Sequence, residues 1–236
     1  MDIVLVPGLW LDASSWDLVV PHLTDAGHTP RPLTLPGLES AETDRSGVHV
    51  ADQVAAVVGA IDESAGQVIL VGHSMGCAVA GAALDARVDK VAAVVYVGGW
   101  PAEPGMIPAK NFPTDGADLP PVPWEEFDEA DVRDLDRATF EALLRPSPAS
   151  LTSEPFELGD ERRYSVPAVF VCPEYTAADL KEWVADGTES VAAIPKHKDA
   201  TFVDLPTGHW PQLTKPAELA AIIGRSIGRS IGRSGQ

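Results

Sequence analysis

Basic residues are scarce in this chain of 236 residues. Seventeen lysines and arginines stand against 35 aspartates and glutamates, which gives a formal net charge of −18. Such an excess of negative charge repels nucleic-acid phosphates and anionic lipid headgroups. We therefore expect neither nucleic acid nor a membrane surface as the main partner of the protein.

Cysteines and long hydrophobic runs are also lacking. The two cysteines, Cys77 and Cys172, make no disulfide framework and have no CxxC or CxxH spacing. No apolar run approaches the ~18 residues of a membrane span, and the N-terminal MDIVLVPGLW lacks the basic start of a signal peptide. Neither a glycine-rich nucleotide loop nor an HExxH motif is present. We expect a cytoplasmic protein without metal or cofactor, and the sequence leaves its oligomeric state open.

Short apolar runs alternate with stretches of helical periodicity along the chain. Strands are predicted at 2–6, 28–35, 68–71, 91–97, 166–172 and 201–205, and helices at 15–26, 50–65, 75–86 and 177–185. The run VAAVVYV at 91–97 is β-branched and uncharged, as in a central strand, whereas the prolines of 28–35 favour an outer strand. The alternation predicts an α/β fold with a mostly parallel central sheet flanked by helices.

Residues 101–165 interrupt this alternation. They hold 10 of the 21 prolines and 15 of the 35 acidic residues, against 6 basic ones, and only 125–144 looks helical. The segment is either a solvated surface insertion or a lid over a site. We favour the lid because the segment leaves the end of the best central strand, where α/β folds bind ligands. The core would then comprise 1–100 and 166–225.

The C-terminal end repeats the sequence IGRS three times, at 223–226, 227–230 and 231–234. A glycine at every fourth position disfavours a helix. We therefore treat 226–236 as a tail that frays or is artificial, with a partner-binding helix as the alternative.

The segment Gly72-His73-Ser74-Met75-Gly76 matches G-x-S-x-G, directly after a predicted strand and directly before a predicted helix. In this setting the chain turns so sharply that larger side chains at the flanking glycines would collide, and the serine hydroxyl is exposed at the sheet edge. The helix N-terminus supplies backbone N–H groups for a developing oxyanion. We predict that Ser74 is a nucleophile rather than an idle serine in a tight turn.

A second motif, Thr207-Gly-His-Trp-Pro, follows the last predicted strand. A loop at this end of a strand can bring the imidazole of His209 over the serine as a general base. A plain surface histidine is the alternative. We expect His73 to line the pocket or support it. The remaining histidines, His22, His28, His49 and His197, are predicted to lie on the surface.

With these motifs the sequence resembles the α/β-hydrolase fold superfamily, and most closely the small intracellular members related to plant hydroxynitrile lyases and methylesterases. The resemblance covers nearly the whole chain and includes the opening VLVPGLW and the Ser-Trp pair at 15–16. It implies that the chain begins at the third strand of the family, without the first strands. The family usually opens this loop with His-Gly, where Pro7-Gly8 stands here.

The resemblance also implies how the oxyanion is held. The backbone N–H groups of Met75 and Leu9 would bind it, with Trp10 as an alternative to Leu9.

The acid of the triad is less clear from the sequence. The family places it after the strand that ends here at Cys172 or after the one that ends at Val97. The first region offers Glu174 and Asp179, and the second offers Glu103. We prefer Glu174, then Glu103, then Asp179, and keep the absence of any carboxylate partner as an alternative. Without that acid, related triads lose about 10⁴ in rate, and the protein would be a slow hydrolase or only a receptor.

Four tryptophans lie in segments predicted to surround Ser74: Trp10, Trp100, Trp124 and Trp210. They suggest a hydrophobic pocket for a small-molecule substrate, and an acidic lid would disfavour anions. We expect hydrolysis of a neutral ester or lactone through an acyl-enzyme. A lyase on the same scaffold, with Lys181 near a predicted site loop, and a non-enzymatic receptor are the alternatives.

Overall fold

The computed structural model describes residues 1–231, with side chains through Ser226. The strands are β1 (Asp2–Val6), β2 (Thr29–Pro32), β3 (Val68–His73), β4 (Val91–Val97), β5 (Asp118–Leu119), β6 (Ser147–Pro148), β7 (Ala168–Cys172) and β8 (Ala200–Asp204). The α-helices are α1 (Val20–Asp25), α2 (Val50–Asp62), α3 (Met75–Ala86), α4 (Arg137–Leu143), α5 (Ala177–Ala185), α6 (Pro211–Thr214) and α7 (Pro216–Ile231).

Six strands form one parallel sheet in the order β2-β1-β3-β4-β7-β8. This confirms the predicted α/β fold, with the apolar β4 inside the sheet and the proline-bearing β2 at its edge. The chain runs outward from β1 to β2 and then crosses back to β3. The strand order therefore reverses between β1 and β3, and ligands of open α/β sheets bind at such a switch point, beyond the carboxyl ends of the strands.

Helices cover both faces of the sheet. Alternate residues of the strands pack against α2, α3 and α5 on one face and against α1 and α7 on the other. In β1, for example, Val4 and Val6 belong to the first core and Ile3 and Leu5 to the second, all four fully buried. Two apolar faces explain why the central strands carry no polar alternation.

Two of the predicted helices differ from the observed ones. The segment 15–26 forms a short 3₁₀ turn, Ala13–Trp16, and then α1. The helix predicted over 125–144 is confined to a 3₁₀ turn at Trp124–Glu126 and to α4. Between these two elements Asp134 has a φ of 66°, which no continuous helix accepts. The carboxylate of Asp136 then caps α4 by accepting a hydrogen bond from the Thr139 N–H.

The insertion, residues 101–165, is fastened to the core by two arginines. Arg45 is buried and donates to the carbonyls of Gly37 and Pro146, and it forms an ion pair with Asp118 at 3.2 Å. Arg145 forms an ion pair with Asp12 at 2.8 Å. These contacts hold the insertion against the loops that follow β1 and β2.

The tail predicted to fray from residue 226 is partly helical. Helix α7 continues to Ile231, through the second IGRS repeat. Ile222, Ile223 and Ser226 are buried, and the Ser226 hydroxyl donates to the carbonyl of Ile222. Burial of this face offsets the cost of the glycines. The end of the predicted tail, 232–236, lies outside the described residues. Within 1–231, no helix combines the length and hydrophobicity needed to cross a membrane.

One histidine predicted on the surface is buried. His197 packs edge-on against the rings of Tyr96, Tyr164 and Phe170, at 5.9, 5.3 and 5.6 Å between centroids. Neither ring nitrogen has a hydrogen-bond partner within residues 1–231. Burial, together with the charge of Arg163, lowers the pKa of His197 to about 4. Its polar sequence neighbours gave no hint of this, because the rings that surround it come from distant segments.

Burial of His197 predicts a loss of stability in mild acid. In the unfolded chain His197 binds a proton near pH 6.5, whereas in the folded state it binds one only near pH 4. The free energy of unfolding should therefore fall by about 2 kcal/mol between pH 7 and pH 5 through this residue alone. In His197→Phe, the free energy of unfolding measured with urea should fall by about 2 kcal/mol less between the two pH values than it does in the wild type.

The change between the two pH values is the quantity compared, so any constant cost of the larger ring cancels. A His22→Gln variant, which alters an exposed histidine, is the matched control and should keep the acid sensitivity of the wild type. An identical sensitivity in His197→Phe would show that His197 is not held neutral.

Candidate active site

Ser74 lies in the sharp turn between β3 and α3, with φ 51° and ψ −123°. Its N–H donates to the carbonyl of Val97 at 2.9 Å, which fixes the turn against β4. A Cβ at Gly72 would stand 2.5 Å from the Gly76 carbonyl oxygen, and one at Gly76 would stand 2.3 Å from that of Pro7. Because both contacts are with backbone, the turn excludes any larger residue at the two glycines.

Ser74 and His209 line one cavity of about 270 Å³ beyond the carboxyl ends of the strands. The core contributes Leu9, Trp10, His73 and Trp210 to its wall, and the insertion contributes Phe112, Val122, Glu126, Phe127, Asp128 and Asp131. The cavity is therefore formed jointly by the core and the insertion, at the switch point of the sheet.

Glu174 lies beside His209, with 2.8 Å between its Oε1 and the Nδ1 of the imidazole. The side chains are 19% and 16% exposed for His209 and Glu174, so solvent weakens the contact only in part. A carboxylate only accepts, hence Nδ1 carries the proton and donates it. This leaves a lone pair on Nε2, which is the tautomer that a general base needs.

The two other carboxylates considered from the sequence have different partners. Glu103 accepts from the Tyr164 hydroxyl at 3.2 Å and forms an ion pair with Lys196. Asp179 belongs to the capping box at the start of α5, where it accepts from the N–H and the hydroxyl of Thr176. The structure brings neither to His209.

Two backbone N–H groups near Ser74 have no acceptor, that of Leu9, which lines the cavity, and that of Met75, the next residue in the chain. The N–H groups of Leu9 and Met75 make no hydrogen bond within residues 1–231. Trp10 differs, because its N–H donates to the Ser147 hydroxyl at 2.8 Å. Of the two alternatives in this loop, Leu9 is therefore the available donor and Trp10 is not.

His73 supports the loop that carries His209 through a hydrogen bond to its main chain. It is fully buried, and its Nε2 lies 2.8 Å from the carbonyl oxygen of His209. The carbonyl can only accept, so Nε2–H donates. Burial and the neighbouring His209 lower the pKa of His73 to about 3, which keeps it neutral. His73 thus both lines the cavity and fixes the main chain of His209.

Trp10 and Trp210 line the cavity, as expected from the sequence. Trp10 adopts a left-handed φ of 65°, and its indole N–H donates to the carbonyl of Leu119 at 3.2 Å. The insertion holds the backbone of Trp10 at a second point, where the N–H of Arg145 donates a hydrogen bond to the Trp10 carbonyl at 2.8 Å. The unusual backbone of Trp10 is thereby held by the insertion.

The placement of Trp100 and Trp124 in the pocket is wrong. Trp100 packs beside Tyr175 and Trp183, the latter on α5, at 6.1 and 6.4 Å between ring centroids. Trp124 packs within the insertion against Phe140, 6.1 Å away. Both rings pack against other aromatic rings, and neither lines the cavity in the described chain.

Sequence reasoning missed the contact between Asp131 and the loop that carries His209. The carbonyl of Asp131 accepts a hydrogen bond from the His209 N–H at 2.7 Å, and Arg133 donates to the Thr207 carbonyl. Burial raises the pKa of the Asp131 carboxyl, against the opposing effect of His209. The only sequence signal was that the insertion leaves the end of β4.

Within residues 1–231, no three histidine, cysteine or carboxylate side chains are grouped to hold a metal ion.

Comparison with known proteins gives a family and a fold. A model of the "Alpha/beta hydrolase family" matches residues 3–222. An extracellular alpha/beta-hydrolase from a Paenibacillus species is 20% identical, with a TM-score of 0.77 over 96% of this chain and 98% of that one. A methylesterase from Arabidopsis is 19% identical, with a TM-score of 0.73 over 97% and 99%.

A pyrethroid hydrolase from Sphingobium faniae is 20% identical, with a TM-score of 0.66 over 95% of this chain and 96% of that one. No curated protein sequence matches the chain. At sequence identities of 19% to 20%, the similarity to these solved structures shows only that the fold is shared.

Proposed function

The chain belongs to the alpha/beta hydrolase family, and from this premise we propose that it is a serine hydrolase. It cleaves a carboxylic ester or lactone of a small, neutral and hydrophobic substrate through an acyl-enzyme. The observation that carries the proposal is the dyad of His209 and Glu174, with 2.8 Å between Nδ1 and Oε1, whose histidine lines the same cavity as Ser74.

Acylation begins when Nε2 of His209 takes the proton of the Ser74 hydroxyl. The serine oxygen attacks the carbonyl carbon, and the N–H groups of Leu9 and Met75 bind the oxyanion that forms. The imidazolium, stabilised by Glu174, then protonates the leaving alcohol. Water, activated by the same histidine, hydrolyses the acyl-enzyme and releases the carboxylic acid.

The walls of the cavity support a small hydrophobic substrate. Trp10, Phe112, Phe127 and Trp210 present apolar rings, and a cavity of about 270 Å³ suits a short acyl chain or an aryl group. The acidic side chains of the insertion disfavour an anionic substrate. In this proposal the insertion acts as the lid over the bound ester.

Neither alternative activity has a specific observation in its favour. A lyase would need a cation near the dyad, but the ammonium of Lys181 lies over the ring of Phe202, 5.2 Å from its centroid. The receptor hypothesis rested on a missing acid, and a carboxylate stands at His209. Both considerations support the hydrolase.

The proposal is tested with a panel of neutral alkyl and aryl esters and lactones, with the released acid titrated in a pH-stat. We expect hydrolysis by the wild type and its loss in Ser74→Ala. A panel that the two proteins cleave at equal rates would overturn the proposal.

A further inference from the structure

The charged side chains that line the cavity, the histidines aside, are all acidic: Glu126, Asp128 and Asp131. Within residues 1–231 none of these carboxylates makes an ion pair or a side-chain hydrogen bond. The neighbouring Glu125, in contrast, is paired with Arg137 at 2.7 Å, outside the cavity. The insertion thus neutralises an acid nearby and leaves three unpaired where a substrate would bind.

Aromatic rings stand beside these carboxylates. The Trp10 ring contacts Phe112 and Phe127 edge-on, at 5.8 and 6.2 Å between centroids, and Trp210 contacts Phe127 at 5.5 Å. Ring faces attract organic cations, most strongly for tryptophan. Carboxylates with aromatic rings in one cavity match the two demands of an alkylated ammonium group, which are negative charge and apolar contact.

Asp131 is the member of the set that lies nearest the proposed catalytic groups. Its main-chain carbonyl is bound by the His209 N–H at 2.7 Å, and its carboxyl is half-buried in the cavity. A neutral substrate that covers this carboxylate removes water from an unpaired charge, which is costly. A substrate that brings a positive charge compensates for the lost water.

We propose that this cavity favours esters that carry an alkylated ammonium group over their uncharged isosteres. The carboxylates of Asp131, Asp128 and Glu126 hold the cation, the rings of Trp10 and Phe127 contact its alkyl groups, and the ester carbonyl lies at Ser74. Neutral esters remain substrates and anionic ones are the poorest. This inference rests on the proposed function for the cleavage step alone.

The test compares butyrylcholine with 3,3-dimethylbutyl butyrate, in which a carbon replaces the charged nitrogen. At low ionic strength we expect kcat/KM to be about tenfold higher for the choline ester, and the ratio to fall toward one in 0.5 M salt. The variant with Asp131→Asn, Asp128→Asn and Glu126→Gln should bring the ratio near one at low salt. Glu125→Gln removes an acid that is paired outside the cavity and should leave the ratio unchanged.

Binding to Ser74→Ala, measured by calorimetry with the same two esters, separates recognition from cleavage. Tighter binding of the choline ester supports the inference even if no ester is turned over by the wild type, a result that would defeat only the proposed function. Equal or weaker binding of the choline ester would overturn the inference. So would a kcat/KM ratio that the triple variant leaves unchanged.

Discussion

A Ser74→Ala variant is expected to hydrolyse esters about 10⁵-fold more slowly in kcat than the wild type. The hydroxyl of Ser74 is the only side-chain nucleophile that the proposed mechanism uses, and removal of a triad serine leaves only the catalysis due to binding and oxyanion stabilisation. The methyl group of alanine fits the same turn, so the variant should fold. The residual rate is measured with a chromogenic ester at high protein concentration.

An exposed serine provides the matched control for this loss. Ser190 lies on the surface in a short 3₁₀ turn, Glu189–Val191, and Ser190→Ala should keep full activity. Thermal unfolding of both variants verifies that each is folded. A folded Ser74→Ala variant with more than a tenth of the wild-type rate would refute the role given to Ser74.

A Glu174→Gln variant is expected to lose about 10⁴ in kcat, with little change in KM. An amide carries no charge to stabilise the imidazolium, and its NH₂ group can donate to Nδ1, which would move the proton of the neutral ring to Nε2. With Nε2 protonated, His209 cannot accept the proton of Ser74. Replacement of the acid in a related triad by its amide costs a similar factor.

The two rejected carboxylates are natural controls. Glu103→Gln and Asp179→Asn alter groups bound to Lys196 and Thr176, and both variants should keep kcat within about threefold once corrected for the folded fraction. Rates are compared across the pH range in which the wild type is stable. A large loss in Glu103→Gln, with activity retained in Glu174→Gln, would assign the acid to the other strand end.

Local patterns in the sequence predict most of the fold. Strand β4 is recognisable because it is uncharged and β-branched, and β2 as an edge strand because of its prolines. The elbow at Ser74 is equally local, since strand, glycines and helix follow one another directly. Each of these features depends on neighbours along the chain, which a single sequence displays.

The sequence alone does not determine that Glu174, rather than Glu103 or Asp179, pairs with His209. It depends on β7 and β8 lying side by side, so that the loops after them meet at one edge of the sheet. Glu103 follows a strand end too, and nothing in its neighbourhood reveals the partners, Tyr164 and Lys196, that hold it elsewhere.

The insertion was the hardest part to predict, because its structure is set by contacts with the core rather than by periodicity. The sequence predicts a helix over 125–144, but the left-handed Asp134 and the cap at Asp136 divide this segment. The sequence predicts Trp124 as a pocket residue, whereas Phe127, three residues later, lines the cavity. The direction in which such rings point is decided by tertiary packing.

The most direct test of the central claim, that His209 activates Ser74, is labelling with a fluorophosphonate followed by intact-mass measurement and peptide mapping. This reagent reacts with an activated serine and requires no knowledge of the substrate. We expect one adduct per chain, on Ser74, and labelling that is at least about 100-fold slower in His209→Ala. Equal labelling of the two proteins, or no adduct on the folded wild type, would contradict the account.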